Sequence, residues 1–494
     1  MYIMAIDQGT TGSTVSILNQ AGSPVTKVNQ EFPQIFPQPG WVEHNPEDIW
    51  KSVLSTIEKA LQKAKISAAE IAAIGITNQR ETVVVWDKSS GKPVYNAIVW
   101  QCRRTQDFCE KLKKEKKQNL IRKKTGLVID PYFSASKIRW ILKNVSGVAA
   151  RARKGDLLAG TMDTFLLWRL TGGACHKTDV SNASRTMLMN IQSGDWDADL
   201  LKMFSVPASL LPEIANSSGL FGKTKGLGVL PDGIPITGIA GDQQAALFGQ
   251  TCFSVGEAKC TYGTGSFLLM NSGHKMVISK HQLLTTVAWK LPGQKMTYAL
   301  EGGAFICGAA VQWLRDGLQL ISKSSEVETL AQQVPSSEGV EFVPALTGLG
   351  APYWDSAARG LICGLTRGSS KAHIARATLE AMALQNTEIL LAMQKDLGKK
   401  LKSLRVDGGA SVNSLLMQMQ ADYMGTLVIR PQQIETTSIG AAYLAGLGVG
   451  IWSSTEDIRR IWMVDQKFES HMSSKSRAQR MQRWQKAVER TRLT

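Results

Sequence analysis

Histidine is scarce, six in 494 residues, and none stands at zinc-site spacing; the seven cysteines, Cys102, Cys109, Cys175, Cys252, Cys260, Cys307 and Cys363, form no Cys-x-x-Cys pair. Both facts argue against a structural zinc or a disulfide framework, and the odd count reads as reduced cytoplasmic thiols. No apolar stretch reaches the ~20 residues of a membrane span. The longest, Ile439 to Trp452, is rich in alanine and glycine and predicts a buried helix instead. A basic region followed by an apolar stretch and a small-residue cleavage site is missing from the amino terminus, so neither secretion nor membrane insertion is expected. No recognised nucleic-acid module accompanies the basic residues, which speaks against a nucleic-acid partner.

What is present is a large globular chain. Hydrophobic residues make up 43% and charged residues 20%, a composition that excludes a disordered scaffold. At roughly 150 residues per domain the length gives about three units or two large ones. Folding should leave roughly 18,000 Å² exposed and bury about three quarters of the unfolded surface. Lys plus Arg at 57 against Asp plus Glu at 41 gives a net charge of +16, which favours anionic partners such as nucleotides and phosphorylated metabolites. The basic stretches Lys111 to Lys124 and Lys475 to Arg492 sit among helix formers and read as solvated helix faces.

Met1 to Ile6 suits a buried strand, Asp7 to Ser13 a glycine and threonine turn, and Val15 to Leu18 a returning strand. Asn45-Pro46 marks a helix start, with Ile49, Trp50, Val53, Leu54, Ile57 and Leu61 at helical spacing, and Ser67 with Glu70 could cap a short helix. Ile234 to Ile239 predicts a strand ending at Gly241-Asp242, before a small-residue helix. A second strand, turn and strand follows at Cys260 to Met270, around Gly263-Thr264-Gly265. Two such hairpins half a chain apart predict a duplicated α/β unit with a cleft between halves, divided at 1–250 and 251–494.

A phosphate cradle needs glycines for close backbone approach, inward amides, and hydroxyls or a carboxylate to organise magnesium. Asp7-Gln8-Gly9-Thr10-Thr11-Gly12-Ser13, Gly263-Thr264-Gly265 and Asp407-Gly408-Gly409-Ala410 each meet that description at the end of an apolar strand. Gly222-Lys223-Thr224 imitates the end of a P-loop, but Ser217 replaces its first glycine and Gly226, Gly228 and Pro231 preclude the following helix. The dinucleotide fingerprint and the protein-kinase Asp-Phe-Gly are missing too.

Gly40-Trp41-Val42-Glu43-His44, Gly75 to Thr82, Val99 to Thr105, Asp130 to Ser134, Gly238 to Ala246, Thr347 to Trp354 and Leu404 to Gly409 extend these matches along nearly the whole chain. In these stretches the sequence resembles glycerol kinases of the carbohydrate-kinase family. The resemblance implies an α/β fold of two ribonuclease H-like domains, of the actin and hexokinase ATPase type, with a catalytic cleft between them. It also implies glycerol and ATP as substrates, Mg2+ as cofactor, and a homo-oligomer, dimer or tetramer. Arg80, Glu81, Tyr132, Asp242 and Gln243 are then expected to hold the hydroxyls, with Trp100 and Phe267 against the carbon chain. Thr10, Thr11, Gly12 and Thr264 fall to the phosphates, Gly308, Gln312, Gly409 and Asn413 to the nucleotide, and Asp7 with Asp242 to the metal. Asp242 is the expected catalytic base.

A triol offers little apolar area, so discrimination must come from buried polar groups that a wrong substrate would leave unpaired. Without the resemblance, Arg80 and Glu81 read as a surface ion pair at a strand end, Trp100 and Phe267 as core packing, and Asp242 as a helix-capping carboxylate. A related polyol or sugar kinase of the same fold is the alternative. Many glycerol kinases carry arginine where this chain has Thr14, which predicts weaker nucleotide affinity here.

Overall fold

The computed structural model describes residues 1–492. Two mixed sheets share a common core of strand pairings. The first contains β1 (Tyr2–Gln8), β2 (Gly12–Asn19), β3 (Pro24–Glu31), β4 (Ile71–Asn78), β5 (Ser218–Lys223) and β6 (Pro235–Gly241), in the order β5-β6-β4-β1-β2-β3. The second contains β7 (Ala258–Tyr262), β8 (Ser266–Gly273), β9 (Leu284–Trp289), β10 (Thr297–Ala304), β11 (Ser403–Asp407), β12 (Leu427–Pro431) and β13 (Val464–Phe468), in the order β9-β10-β8-β7-β11-β12-β13. In each sheet a leading strand pairs antiparallel with its hairpin partner on one side and parallel with a later strand on the other: β1 with β2 and β4, β7 with β8 and β11. The repeated hairpins read from the sequence are therefore the same corner of two like sheets.

Successive side chains of β1 point to opposite faces, and both faces are buried. Met4 and Ile6 meet Trp50, Val53 and Ile57 of α1 (Pro46–Ala64), whose start is fixed by Pro46 and by the Asn45 side chain accepting from the Glu47 amide. Ile3 and Ala5 face the opposite way, toward Ile439 and Leu444. On the second sheet, Cys260, Leu268 and Val406 pack against Leu379, Met382 and Leu390 of a 27-residue helix (Lys371–Leu397) and Leu416 and Met417 of another (Ser414–Met424).

Between the sheets α2 (Asp242–Gly249) crosses α3 (Thr436–Gly448). A Cβ on Gly440 would lie 1.8 Å from the Ala245 carbonyl oxygen, and one on Gly249 2.1 Å from that of Thr436. Gly75 of β4 and Gly238 of β6 admit the α3 backbone just as closely, at 2.2 Å from Ala441 and 2.4 Å from Ala445. This explains the alanine and glycine content of the long apolar run: α3 comes from the second half of the chain yet covers the first sheet. The sheets divide near residue 250, and the helices do not.

Beside the first sheet, Val83–Asp87 pairs with Ala97–Ile98 and Leu157–Thr161, holding Arg80, Glu81 and Trp100 on either side of its strands. The accessible surface is 19394 Å², close to the roughly 18,000 Å² expected from mass. All seven cysteines are free, and among the described residues no helix is long and apolar enough to cross a membrane.

Candidate active site

The parallel strands β1, β4 and β6 end together: Gln8 stands opposite Asn78, and Asn78 opposite Gly241. The carboxyl ends of parallel strands are where α/β sheets bind ligands. Three of the sequence-nominated features meet at this edge: the β1–β2 hairpin, the Gln79–Glu81 turn, and Asp242 at the start of α2.

The hairpin closes with the Gly9 amide donating to the Gly12 carbonyl at 2.9 Å. A Cβ on Gly12 would stand 2.8 Å from the Gln30 carbonyl oxygen, so glycine is required by close approach. Thr10 is half-buried and Thr11 exposed. Two glutamines, Gln79 buried and Gln34 half-buried, hold the loop from beneath: Gln34 donates to the Thr10 carbonyl at 3.1 Å and Gln79 to the Gly9 carbonyl at 3.2 Å. His44 lies between them, its Nε2 paired with Gln34 Oε1 at 2.7 Å and its Nδ1 with Gln79 Nε2 at 3.3 Å. Burial pushes that imidazole down to about 4.

From Thr10 a continuous line of contacts runs through the residues expected to hold a polyol. The Trp100 indole donates to Thr10 Oγ1 at 2.9 Å and meets Tyr132 edge-on at 5.6 Å between ring centres. Tyr132 accepts from Arg80 Nη2 at 3.4 Å, and Arg80 Nε lies 3.0 Å from Asp242 Oδ1. Gln243 follows Asp242 and accepts from Lys259, whose ammonium also donates to the Phe267 carbonyl at 3.3 Å. Trp100 and Phe267 are half-buried, so they are not plain core.

Arg80 and Glu81 depart most from the surface ion pair that spacing alone predicted: they are 3% and 1% exposed, and their closest approach is 4.0 Å. Arg80 instead forks onto Glu301, Nη1 to Oε2 at 2.7 Å and Nη2 to Oε1 at 2.8 Å. Glu81 accepts from Arg185 Nε at 2.6 Å, and Arg185 Nη2 reaches Glu301 Oε1 at 3.1 Å. Glu81 has a backbone φ of 63°, the left-handed region in which a non-glycine residue stores about 1–3 kcal/mol of strain, typically at functional sites. Burial raises the Glu81 carboxyl. It would raise Glu301 as well, but Arg185 and Arg80 outweigh it and hold that carboxyl at about 2.

Asp242 is the first residue of α2, and the capping position before it is Gly241. Its Oδ1 accepts from the Gln243 amide at 2.6 Å and from Arg80, while Oδ2 has no hydrogen-bond partner among the described residues. Its side chain is 31% exposed and therefore reachable. Asp7 accepts from Ser438 of α3 at 3.3 Å. Burial, then the charges of Asp242 and Glu435, raise the Asp7 carboxyl to about 7. Two carboxylates that oppose each other's charge suit a divalent cation. No cluster of three or more His, Cys, Asp or Glu able to hold a metal occurs among the described residues.

The second hairpin is stitched to the helix Gly308–Asp316: the Gly308 amide donates to the Gly263 carbonyl at 2.9 Å and those of Cys307 and Ala309 to the Thr264 carbonyl at 2.8 and 3.1 Å. Thr264 and Gln312 are exposed. Gly408, with φ of 84°, leaves only 2.7 Å between a notional Cβ and the Tyr262 carbonyl oxygen, while a Cβ on neighbouring Gly409 would meet nothing within 4 Å. Asn413 caps the helix Ser414–Met424 by accepting from the Leu416 amide at 2.8 Å. Among the described residues no hydrogen bond or ion pair joins Gly308, Gln312, Gly409 or Asn413 to the polyol group.

Sequence reasoning missed Arg185, Gln244, Lys259 and Glu301. Lys259 and Glu301 did leave a signal, a lone charge inside an apolar strand (Ala258-Lys259-Cys260 and Leu300-Glu301-Gly302). The open surface hollow of about 700 Å³ lined by Glu47, Lys92 and Trp168 shares no residue with the site.

Residues 2–249 match the N-terminal domain of the FGGY family of carbohydrate kinases and residues 258–449 its C-terminal domain. The chain is 67% identical over 489 residues to a glycerol kinase of Bdellovibrio bacteriovorus, covering 99% of both chains, and 55% identical over 490 residues to glycerol kinase 2 of Thermotoga maritima, covering 99% and 98%. The structure of a Plasmodium falciparum glycerol kinase with ADP superposes with a TM-score of 0.93 at 40% identity, over 99% of this chain and 98% of that one. A xylulose kinase of Lactobacillus acidophilus, 23% identical, shares the fold with a TM-score of 0.88 over 99% and 97%.

Proposed function

The chain belongs to the FGGY family of carbohydrate kinases, and from that premise we propose that it transfers the γ-phosphoryl group of ATP to a terminal hydroxyl of glycerol, giving glycerol 3-phosphate and ADP. The observation that carries glycerol over another polyol or sugar is the 67% identity, across 99% of both chains, to a protein named glycerol kinase. The matched sugar kinase structure stands at 23% and shares the fold alone.

Asp242 is the base. With Oδ1 held by Arg80 and the Gln243 amide, Oδ2 is the free oxygen that takes the proton as the glycerol hydroxyl attacks phosphorus and the bond to the β-phosphate bridging oxygen breaks. General-base help is worth about 10²–10⁴-fold, so most of the acceleration falls to alignment and to dipoles and charge around the phosphoryl oxygens. Arg80, Glu81, Tyr132 and Gln243 hold the hydroxyls, and Trp100 and Phe267 flank the carbons. All five N–H groups of Arg80 are engaged by Asp242, Glu301, Gln244 and Tyr132. A glycerol oxygen therefore takes over one of these donors, most readily the 3.4 Å contact to Tyr132.

The amides and hydroxyls of Thr10, Thr11, Gly12 and Thr264 grip phosphate from the two hairpins, and Gly308, Gln312, Gly409 and Asn413 border the nucleotide. Asp7 and Asp242 are the residues that would hold magnesium, which when bound would supply charge to neutralise phosphoryl oxygens. Steady-state ADP release with glycerol tests the reading: turnover that depends on both glycerol and magnesium is expected, and faster turnover of another polyol would refute it. Light scattering in solution tests the dimer or tetramer that the family implies.

A further inference from the structure

Two charged side chains reach from the second sheet into the residues that grip the acceptor. Glu301 on β10 is 2% exposed and Lys259 on β7 fully buried. Glu301 spends one oxygen on Arg80 Nη1 and shares the other between Arg80 Nη2 and Arg185 Nη2. The three N–H groups of Lys259 go to Gln243 Oε1, Thr261 Oγ1 and the Phe267 carbonyl. Neither side chain gains much as a mere strut: the buried Glu301 ion pairs are often no more stabilising than hydrophobic pairs of similar size, and burying the Lys259 charge among neutral acceptors costs stability. Each instead fixes a long, flexible side chain of the first half: Glu301 orients the Arg80 fork, and Lys259 orients the Gln243 amide.

We infer that Glu301 and Lys259 are positioning residues for the phosphoryl acceptor, supplied by the second sheet to set Arg80 and Gln243. The inference rests on the assignment of those two residues to the acceptor. Its consequence is that the acceptor pocket is complete only while β7 and β10 are seated against the β4 turn and α2. Acceptor affinity and the seating of the two halves are then one equilibrium, because whatever tightens one tightens the other.

Glu301→Gln tests this with a near-isosteric change. It sets an amide N–H against the Arg80 and Arg185 donors while leaving the hairpins and nucleotide side untouched. The expected result is a glycerol KM raised about tenfold or more, with the ATP KM within about twofold of wild type. Lys259→Met should act in the same direction through Gln243. A merely structural role would lower the unfolding midpoint without separating the two KM values. In an Arg80→Ala background Glu301→Gln should add little further, because the two act as a unit. A folded Glu301→Gln enzyme with unchanged glycerol KM, or with both KM values raised alike, overturns the inference. Wild-type enzyme that turns over another acceptor and not glycerol defeats the glycerol reading instead, and the same KM comparison is then made with that acceptor.

Discussion

Gly440→Ala puts the crossing of α2 and α3 to a quantitative test. The new methyl carbon would lie 1.8 Å from the Ala245 carbonyl oxygen, 2.6 Å from its carbon and 3.0 Å from the Gly249 amide nitrogen, all backbone atoms that no rotamer change can move. Restoring ordinary contact, which begins near 3.4 Å, requires the helices to part by roughly 1.6 Å. Overpacking costs about 1–3 kcal/mol, and replacing glycine by alanine within a helix returns about 1 kcal/mol, leaving a net loss of about 0–2 kcal/mol. Catalysis should suffer more, because α2 begins with Asp242 and Gln243 and a displacement of about 1 Å at reacting groups costs about 10²-fold. Gly446→Ala on the same helix is the control. Its Cβ would meet the ring of Trp452 at 2.3 Å and the Ile3 side chain at 2.8 Å, contacts that can repack. Urea unfolding and coupled ADP release on both variants should show comparable stability losses, with kcat down about a hundredfold for Gly440→Ala alone. A Gly440→Ala enzyme within about threefold of wild-type kcat would refute the claim that this crossing sets the position of the base.

Asp242→Asn should retain glycerol binding by calorimetry while kcat falls at least about a hundredfold; near-normal turnover would reject Asp242 as the base. Thr14 lies directly across from Asp7 in the β1–β2 ladder and accepts from Asn29 at 2.9 Å, so Thr14→Arg should place a permanent positive charge beside the phosphate hairpin and tighten ATP binding by about threefold or more. An unchanged ATP dissociation constant would count against that. His44 titrates at about 4 in the fold against 6.5 unfolded. Its stabilising contribution is therefore complete above pH 6.5 and lost as pH falls toward 4, up to about 3 kcal/mol. His44→Gln should flatten the decline of urea midpoints between pH 6.5 and 4, and a decline as steep as wild type would refute the assignment.

Local chemistry made much of this molecule readable in advance. The strands around Asp7 and Thr264, the Asn45-Pro46 helix start and the Ser67–Glu70 capping box all depend on neighbours within a few residues, and the structure reproduces each. Ile439 to Trp452 was legible as a buried helix, which holds as far as Gly446; the helix ends at Gly448 and residues 448–450 are exposed. Its role as the cover of a sheet that ends two hundred residues earlier was not legible. The site divides in the same way. Arg80, Tyr132 and Asp242 were found through resemblance to a family, while spacing alone placed Arg80 and Glu81 at the surface. Glu301 escaped because its partner Arg80 is 221 residues away, and no local pattern encodes a contact of that range. The fork geometry exists only once two sheets have been brought together.

The late arrival of α3 has a consequence for the nascent chain. By the time β6 has been synthesised, every strand of the first sheet exists, but Ile3, Ala5, Ala73 and Ala240 still lack the helix that will lie on them. About 200 further residues must be translated before Gly448 is made, a delay of roughly 10–40 s at about 5–20 residues per second. During that interval an apolar sheet face waits near the ribosome, open to chaperones or to a second nascent copy. Separately expressed halves should accordingly be insoluble alone and regain solubility when produced together.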